Sequence, residues 1–437
     1  MNQARADFQT SRLFLVSTLT LFTAGLSFSL RSGIITTIES DYLRAIDPAG
    51  SGVLAGQLLG ITFTGFAITL FLGSSFLDKI GMGRGLILSA SSFVIGTGLA
   101  IAAPSFAGES IYTWLWCGFL LSGLGWGFME ATVNPLVTAL YPDDKIHRLN
   151  VVHAWWPAGI IVGGLIEVGA GALGWGWQTR FGIVIVPAVI AILLCAGTRF
   201  PRTERATLGV SMGDMFREIF RQPMFLVWWL CMFLTAASEL APGQWIDLTL
   251  TRTVGMRGIW LLIYVSGMMF VLRHFAGPIA HRISTTAMLW GSAVLATLGL
   301  LALAQVDSPA TGIAAATVWG LGVCFFWPTM LANVSERFPR GGEFFIGLMG
   351  VAGALAIQMV LPALGGIFDQ AKIELAGGEA AYLALEGEPL AEILRSAAAT
   401  SFQTLAILPA LLIVIFGVLF AIDRKHKTQA QRDEALG

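Results

Sequence analysis

Long apolar runs separated by short polar breaks set the pattern of this chain. A helix needs about 20 apolar residues to cross a bilayer core. Read at that length, the runs give twelve spans, at 13–38, 52–77, 85–103, 111–140, 150–172, 181–197, 224–243, 258–280, 284–304, 310–336, 343–368 and 400–422. The Arg-rich connection 198–223, with Arg199, Arg202, Arg205, Arg217 and Arg221, divides them six plus six. The expected architecture is an all-α membrane protein of two pseudo-symmetric six-helix bundles around a central cavity. Residues 1–197 form the first bundle, 198–223 the linker and 224–437 the second bundle. The Ala- and Glu-rich stretch 369–399 reads as a short surface helix.

Composition agrees with a polytopic membrane protein. The 437 residues are 55% hydrophobic and 12% charged, with a mean hydropathy of +0.75. A net charge of -1 gives no reason to expect a nucleic-acid partner. Charge placement says more. Most of the 26 Lys and Arg fall on one side if the N-terminus, the 198–223 linker and the C-terminus are cytoplasmic. The opposite loops hold Glu39, Asp41, Asp47, Glu109, Asp307, Glu374, Glu379, Glu386, Glu388 and Glu392. Both ends are therefore expected inside a bacterial inner membrane. The run after Arg12 is too long for a cleavable signal. Cys117, Cys195, Cys231 and Cys324 lie in apolar runs without metal or redox spacing.

The two halves repeat. Gly123-Leu-Gly125 recurs as Gly320-Leu-Gly322, and Leu140-Tyr-Pro142 as Arg337-Phe-Pro339. The turn Asp78-Lys79-x-Gly81, with Arg84 after it, corresponds to Gly277-Pro-Ile-Ala-His281-Arg282. Paired six-helix halves are the layout of a rocking transporter, with its site between them at mid-depth.

Within the fourth span, Glu130 lies roughly 16 Å before the polar loop at Pro142, at about 1.5 Å per residue. That is near the middle of a core about 30 Å thick. An acid there is costly unless it meets water, a partner or a ligand. Trp126, Glu130 and Asn134 share one helix face. Pro135 lacks the N–H that would bond the Ala131 carbonyl, which loosens the helix just after the acid.

The chain resembles the major facilitator superfamily over essentially its full length, through the Asp78-Lys79-x-Gly81 loop and the twelve spans. The resemblance implies that Asp78, Lys79 and Arg84, with His281 and Arg282 in the second half, latch a cytoplasmic gate. The fourth span is similar to the fucose:proton symporter group of sugar permeases. Its residues Gly127-x-x-Glu130-Ala-Thr-Val-Asn134-Pro135 are followed by Arg148-Leu149-Asn150. This implies that Glu130 couples protons and also touches sugar hydroxyls. His153 and Trp156 stand where that group has amides.

Other embedded polar groups extend the list of candidate binding residues. Arg31 lies past the middle of the first span, able to pair with Glu130 or Glu167 or to meet an anion. Arg273 stands four residues before Gly277-Pro278 and reads as a gate contact or an anion ligand. Glu239 lies one turn from Thr235, with Pro242-Gly243 following, which marks a gate element or a water-facing helix end. Trp126, Trp156, Trp319 and Trp327 lie deep and can offer sugar-stacking faces. Trp114, Trp175 and Trp228 read as interfacial belt residues. Phe326, Trp327 and Asn333 flank Pro328, and Gln358 is a buried amide.

The leading expectation is import of a sugar or sugar-like solute, coupled to protons through Glu130, by a monomer in a lipid bilayer. An organic anion such as a uronate, clamped by Arg31 and Arg273, is the alternative, as is sodium-coupled sugar transport through Glu130 or Glu239. The chain contains no metal-ligand cluster, nucleophile elbow or phosphate loop, so neither a cofactor nor enzymatic chemistry is expected. A non-transporting receptor is the reading from outside the transporter class.

Overall fold

The computed structural model describes residues 9–106, 110–141, 145–201, 212–250, 256–274, 283–338 and 342–436. Twelve long helical segments make up the bundle. The first six are α1 (Thr10–Ile38), α2 (Ser51–Ile80), α3 (Met82–Ala102), α4 (Ser110–Leu140), α5 (Lys145–Ala172) and α6 (Ile185–Cys195). The second six begin with α7 (Pro223–Leu250), α8 (Ile259–His274) and α9 (Thr285–Leu303). Next comes α10 in two pieces, α10a (Pro309–Val323) and α10b (Phe326–Arg337), followed by α11 (Gly342–Ala376) and α12 (Gly387–Leu436). Ten spans are apolar and long enough to cross a membrane. The remaining two are α4 and α8. In α4, a 31-residue helix, Gly, Trp and Glu130 dilute the hydropathy. In α8, 16 residues are described, and 275–282 fall outside the described residues. The twelve-helix reading holds.

Two boundaries differ from the sequence reading. Residues 369–399 are not one surface helix: α11 runs on to Ala376, a short helix spans Glu379–Leu383, and α12 starts at Gly387. Two of its charges, Asp369 and Lys372, are buried, while its glutamates stay exposed. Lys372 pairs with Asp369 at 2.5 Å, and Asp369 accepts the N–H groups of Gly52 at 3.3 Å and Val53 at 2.8 Å. Satisfied in this way, they let α11 continue past its apolar run. The sixth span likewise divides, with a short helix Trp177–Gly182 before α6.

Packing follows the small residues. In the first half α2 and α3 pack on α4, and α1 on α5; in the second, α9 packs on α10 and α12, and α7 on α11. Contacts α2–α11, α5–α8 and α1–α7 join the halves. A Cβ at Gly65 would lie 2.7 Å from the Leu124 backbone nitrogen, so only glycine lets α2 approach α4 this closely. Gly81, at φ 84°, makes the tight turn from α2 to α3 that the Asp78-Lys79-x-Gly81 pattern foretold.

At the end carrying the 39–50 loop, polar bonds tie the halves together. Glu167 on α5 is fully buried. It accepts from Arg180 and from Arg257, which precedes α8, at 2.7 Å. Arg257 also donates to the Glu167 carbonyl at 3.1 Å. Nearby, Gln244 donates to the Phe28 carbonyl at 3.0 Å, and Ser32 to the Gly243 carbonyl at 2.9 Å.

Candidate functional site: a tryptophan- and carboxylate-lined cavity

A cavity with about 560 Å³ of empty space, part of it open to solvent, lies between the halves. From the first half come Leu21, Phe63, Phe66, Trp126, Glu130, His153 and Trp156; from the second, Glu239, Leu240, Arg273, Trp327 and Ala354. Every ionisable lining group is a candidate named from the sequence.

The first-half wall is aromatic. Trp126 and Trp156 stack with centroids 6.3 Å apart and an interplanar angle of 24°. Phe66 lies 4.8 Å and Phe63 5.3 Å from Trp126, and Phe28 lies edge-on to Trp156 at 5.3 Å. Close α2–α4 packing brings Phe63 and Phe66 to this face. Glu130 sits beside it, half-buried. Asn134, one turn on, donates to the Glu130 carboxylate at 3.3 Å. The Asn134 oxygen meets His153 Nε2 at 2.8 Å. Acid, amide and imidazole thus form one chain of hydrogen bonds along the wall. Asn134 joins the site through its neighbours and not as a lining group.

The second-half wall is built around a broken helix, α10, and the proline-containing α7. Pro328 has no N–H for the Cys324 carbonyl, and the helix breaks between α10a and α10b. Arg273 Nε donates to that carbonyl at 3.1 Å. The break also frees the Trp327 N–H, which donates to Glu239 at 3.3 Å. Arg273 closes the set by pairing with Glu239 at 3.0 Å. Pro242 in α7 frees the Ser238 carbonyl in the same manner, and the buried Trp319 indole donates to it at 3.1 Å.

Several expectations are corrected. Arg31 does not reach the cavity or an acid: it is 1% exposed, donates to the Thr62 hydroxyl at 2.6 Å and lies 5.9 Å over the Phe119 ring. Its expected partner Glu167 is held by Arg180 and Arg257. Gln358 faces α2 near Gly60 and does not line the cavity. Trp228 is no belt residue, being fully buried beneath the Arg337 guanidinium at 4.9 Å. Glu239 is neither a water-facing helix end nor an open ligand, because Arg273 and Trp327 hold it. Of the gate residues, Lys79 lies 5.6 Å over the Phe76 ring and Arg84 is exposed. His281, Arg282 and the Asp78 side chain lie outside what is described.

The sequence reading missed Arg180, Arg257 and the Asp369–Lys372 pair. Arg180, Arg257 and Lys372 fall on the side assigned few basic residues, and that misfit was the available signal.

Twelve helices in two halves with a cavity between them are the architecture of a secondary transporter. The Major Facilitator Superfamily model matches residues 17–368, and the chain belongs to that family. It is a transporter and not an enzyme. The cis,cis-muconate transport protein of Acinetobacter baylyi is 23% identical over 382 residues, covering 81% of this chain and 88% of that one. In structure, a D-xylose–proton symporter superposes with a TM-score of 0.73 at 15% identity, covering 92% of this chain and 97% of the other. FucP, in an outward conformation, superposes with a TM-score of 0.57 at 16% identity, covering 91% and 98%. These likenesses establish the shared fold.

Proposed function

We propose that this transporter moves a small organic acid with a flat apolar body, and that protons drive it. The observation carrying this reading is the make-up of the cavity wall: among the described residues it holds one guanidinium, Arg273, and the indoles of Trp126, Trp156 and Trp327, and none of these residues brings a hydroxyl or amide side chain. A polyol site needs several such groups to replace the water a sugar loses. A planar carboxylate needs one cation and apolar faces. The muconate-transporting relative, whose cargo is an organic anion, supports the same choice. The sugar reading keeps one observation in its favour, because the Trp126–Trp156 stack also suits the C–H face of a pyranose.

In this reading Glu130 takes part in proton coupling. It is half-buried on the cavity wall and joined through Asn134 to His153. Halves 1–197 and 224–437 rock about the cavity as a monomer, with 198–223 as the cytoplasmic linker and both termini inside a bacterial plasma membrane. The 39–50 end then faces outward, and the bonds there describe a carrier closed to the outside. Lys79 and Arg84, with Asp78, His281 and Arg282, remain the candidates for the opposite gate. Thermal-shift and counterflow measurements with muconate, benzoate, uronates and neutral sugars test the substrate class. Stabilisation and exchange are expected with planar carboxylates, and a response to neutral sugars alone would reverse the choice.

A further inference from the structure

We propose that Glu239 is an internal stand-in for the substrate carboxylate, occupying its receptor until a proton removes it. The inference rests on the organic-acid reading above and adds how proton and substrate exchange.

The receptor is formed by two elements. Arg273 on α8 supplies one N–H at 3.0 Å, and the first turn of α10b supplies the Trp327 N–H at 3.3 Å. The two Glu239 oxygens divide between these donors. A fork-shaped cation with a helix N-terminus is a carboxylate receptor wherever it occurs. Here it opens on the central cavity, since Glu239, Arg273 and Trp327 all line it. Arg273 is also fixed from behind by the Cys324 carbonyl at 3.1 Å. That carbonyl is available because Pro328 cannot use it, so the break in α10 both orients the guanidinium and exposes the amide. Glu239 is 5% exposed and is anchored through these donors.

An ionised substrate and an ionised Glu239 cannot both hold Arg273. Protonating Glu239 neutralises it and weakens its grip, and the substrate carboxylate then takes the same donors. The charge balance closes. The empty site holds Glu⁻ and Arg⁺; the loaded site holds GluH, Arg⁺ and substrate⁻. Both are neutral, so a carrier crossing the membrane in either form carries no net charge at this site. Releasing the proton lets Glu239 return and expel the substrate.

Among the described residues, few other titratable groups surround Glu239. Arg273 faces it from α8 and Cys324 from the α10 break, and across the cavity stand Glu130 on α4 and His153 on α5. From α1 and α11, Leu21 and Ala354 line the cavity. Charges on α12 sit near its ends, where Arg395 meets Glu392 and Asp423 meets Arg337.

The test is binding of benzoate, sorbate and succinate to the purified full chain between pH 6 and pH 8.5, followed by the fluorescence of the cavity tryptophans. Wild type is expected to bind about tenfold more weakly per pH unit once Glu239 is ionised, one proton being taken up with each carboxylate. Glu239→Gln should bind across the range with that slope removed. Glu239→Gln retains Glu130 and His153, so any residual slope reports those groups. Arg273→Gln should bind at neither end. Equal slopes in wild type and Glu239→Gln would overturn the inference while leaving the organic-acid reading intact. Binding of none of these acids by any form, with neutral sugars bound instead, would remove that reading and the inference with it. Melting temperatures of the variants guard against misfolding. Counterflow by Glu239→Gln without uphill uptake in a pH gradient is the matching transport result.

Discussion

Arg257→Ala should open the transporter at its 39–50 end. Arg257 reaches Glu167 from the second half, through a 2.7 Å bond to the carboxylate and a 3.1 Å bond to the backbone. Hydrogen bonds to charged groups contribute about 1.5–3 kcal/mol. Its side chain keeps 32% exposure, and water screening draws the value to the low end. The buried Glu167 retains Arg180, so the substitution does not strand a bare charge, which would cost about 3–5 kcal/mol. A net loss of about 1–2 kcal/mol remains, felt only when the halves meet at this end. The ratio of open to closed carriers should then rise about 5- to 30-fold. Spin labels on exposed Ser40 in the first half and exposed Gln305 in the second report the opening by pulsed electron-electron distances. Adding Glu167→Gln to Arg257→Ala should cause far less further opening than either change alone, because both remove one bond. An unchanged distance distribution in Arg257→Ala would refute the latch.

Three further outcomes are expected. Glu130→Gln should preserve substrate counterflow in proteoliposomes and weaken accumulation driven by a pH gradient, Glu239 keeping its own proton; unchanged accumulation would exclude Glu130 from coupling. Asp369→Asn should lower the melting temperature, since it leaves Lys372, 1% exposed, without its anion at a cost of about 3–5 kcal/mol, and Asp369→Asn with Lys372→Met should recover most of the loss. Trp319→Phe removes the donor for the carbonyl freed by Pro242 and should destabilise the chain by about 1–3 kcal/mol; an unchanged unfolding midpoint would show that another donor serves Ser238.

Much of the site was legible before the fold was known. Glu130, Glu239, Arg273 and His153 were conspicuous because ionisable groups are rare in apolar runs, and the cavity gathers all four. Arg31 was conspicuous for the same reason, yet it serves the packing of α1 on α2 and α4. Rarity marks a residue as needing compensation, and a Thr62 hydroxyl with an aromatic face can provide that as well as a ligand can. Gln358 shows the same ambiguity in an amide. Phe63 and Phe66 carried no signal of their own, because an aromatic residue in an apolar run has the same pattern whether it faces lipid, a neighbour or a cavity.

The sequence by itself determined the twelve spans and the two-half plan, while the break in α10 emerged only with the structure. Hydrophobic length, the cost of buried charge and the missing N–H of proline act locally and can be read along one helix. Which acid met which arginine was decided only by the tertiary structure. Glu167 with Arg180 and Arg257, Glu239 with Arg273, and Asp369 with the start of α2 join residues far apart in the chain. Those pairings depend on how the helices cross and rotate, which the glycine contacts between neighbouring helices set. Glu130 keeps the place its sequence gave it, on the cavity wall beside Trp126. Arg273 and the broken α10 supply the anion receptor across from it.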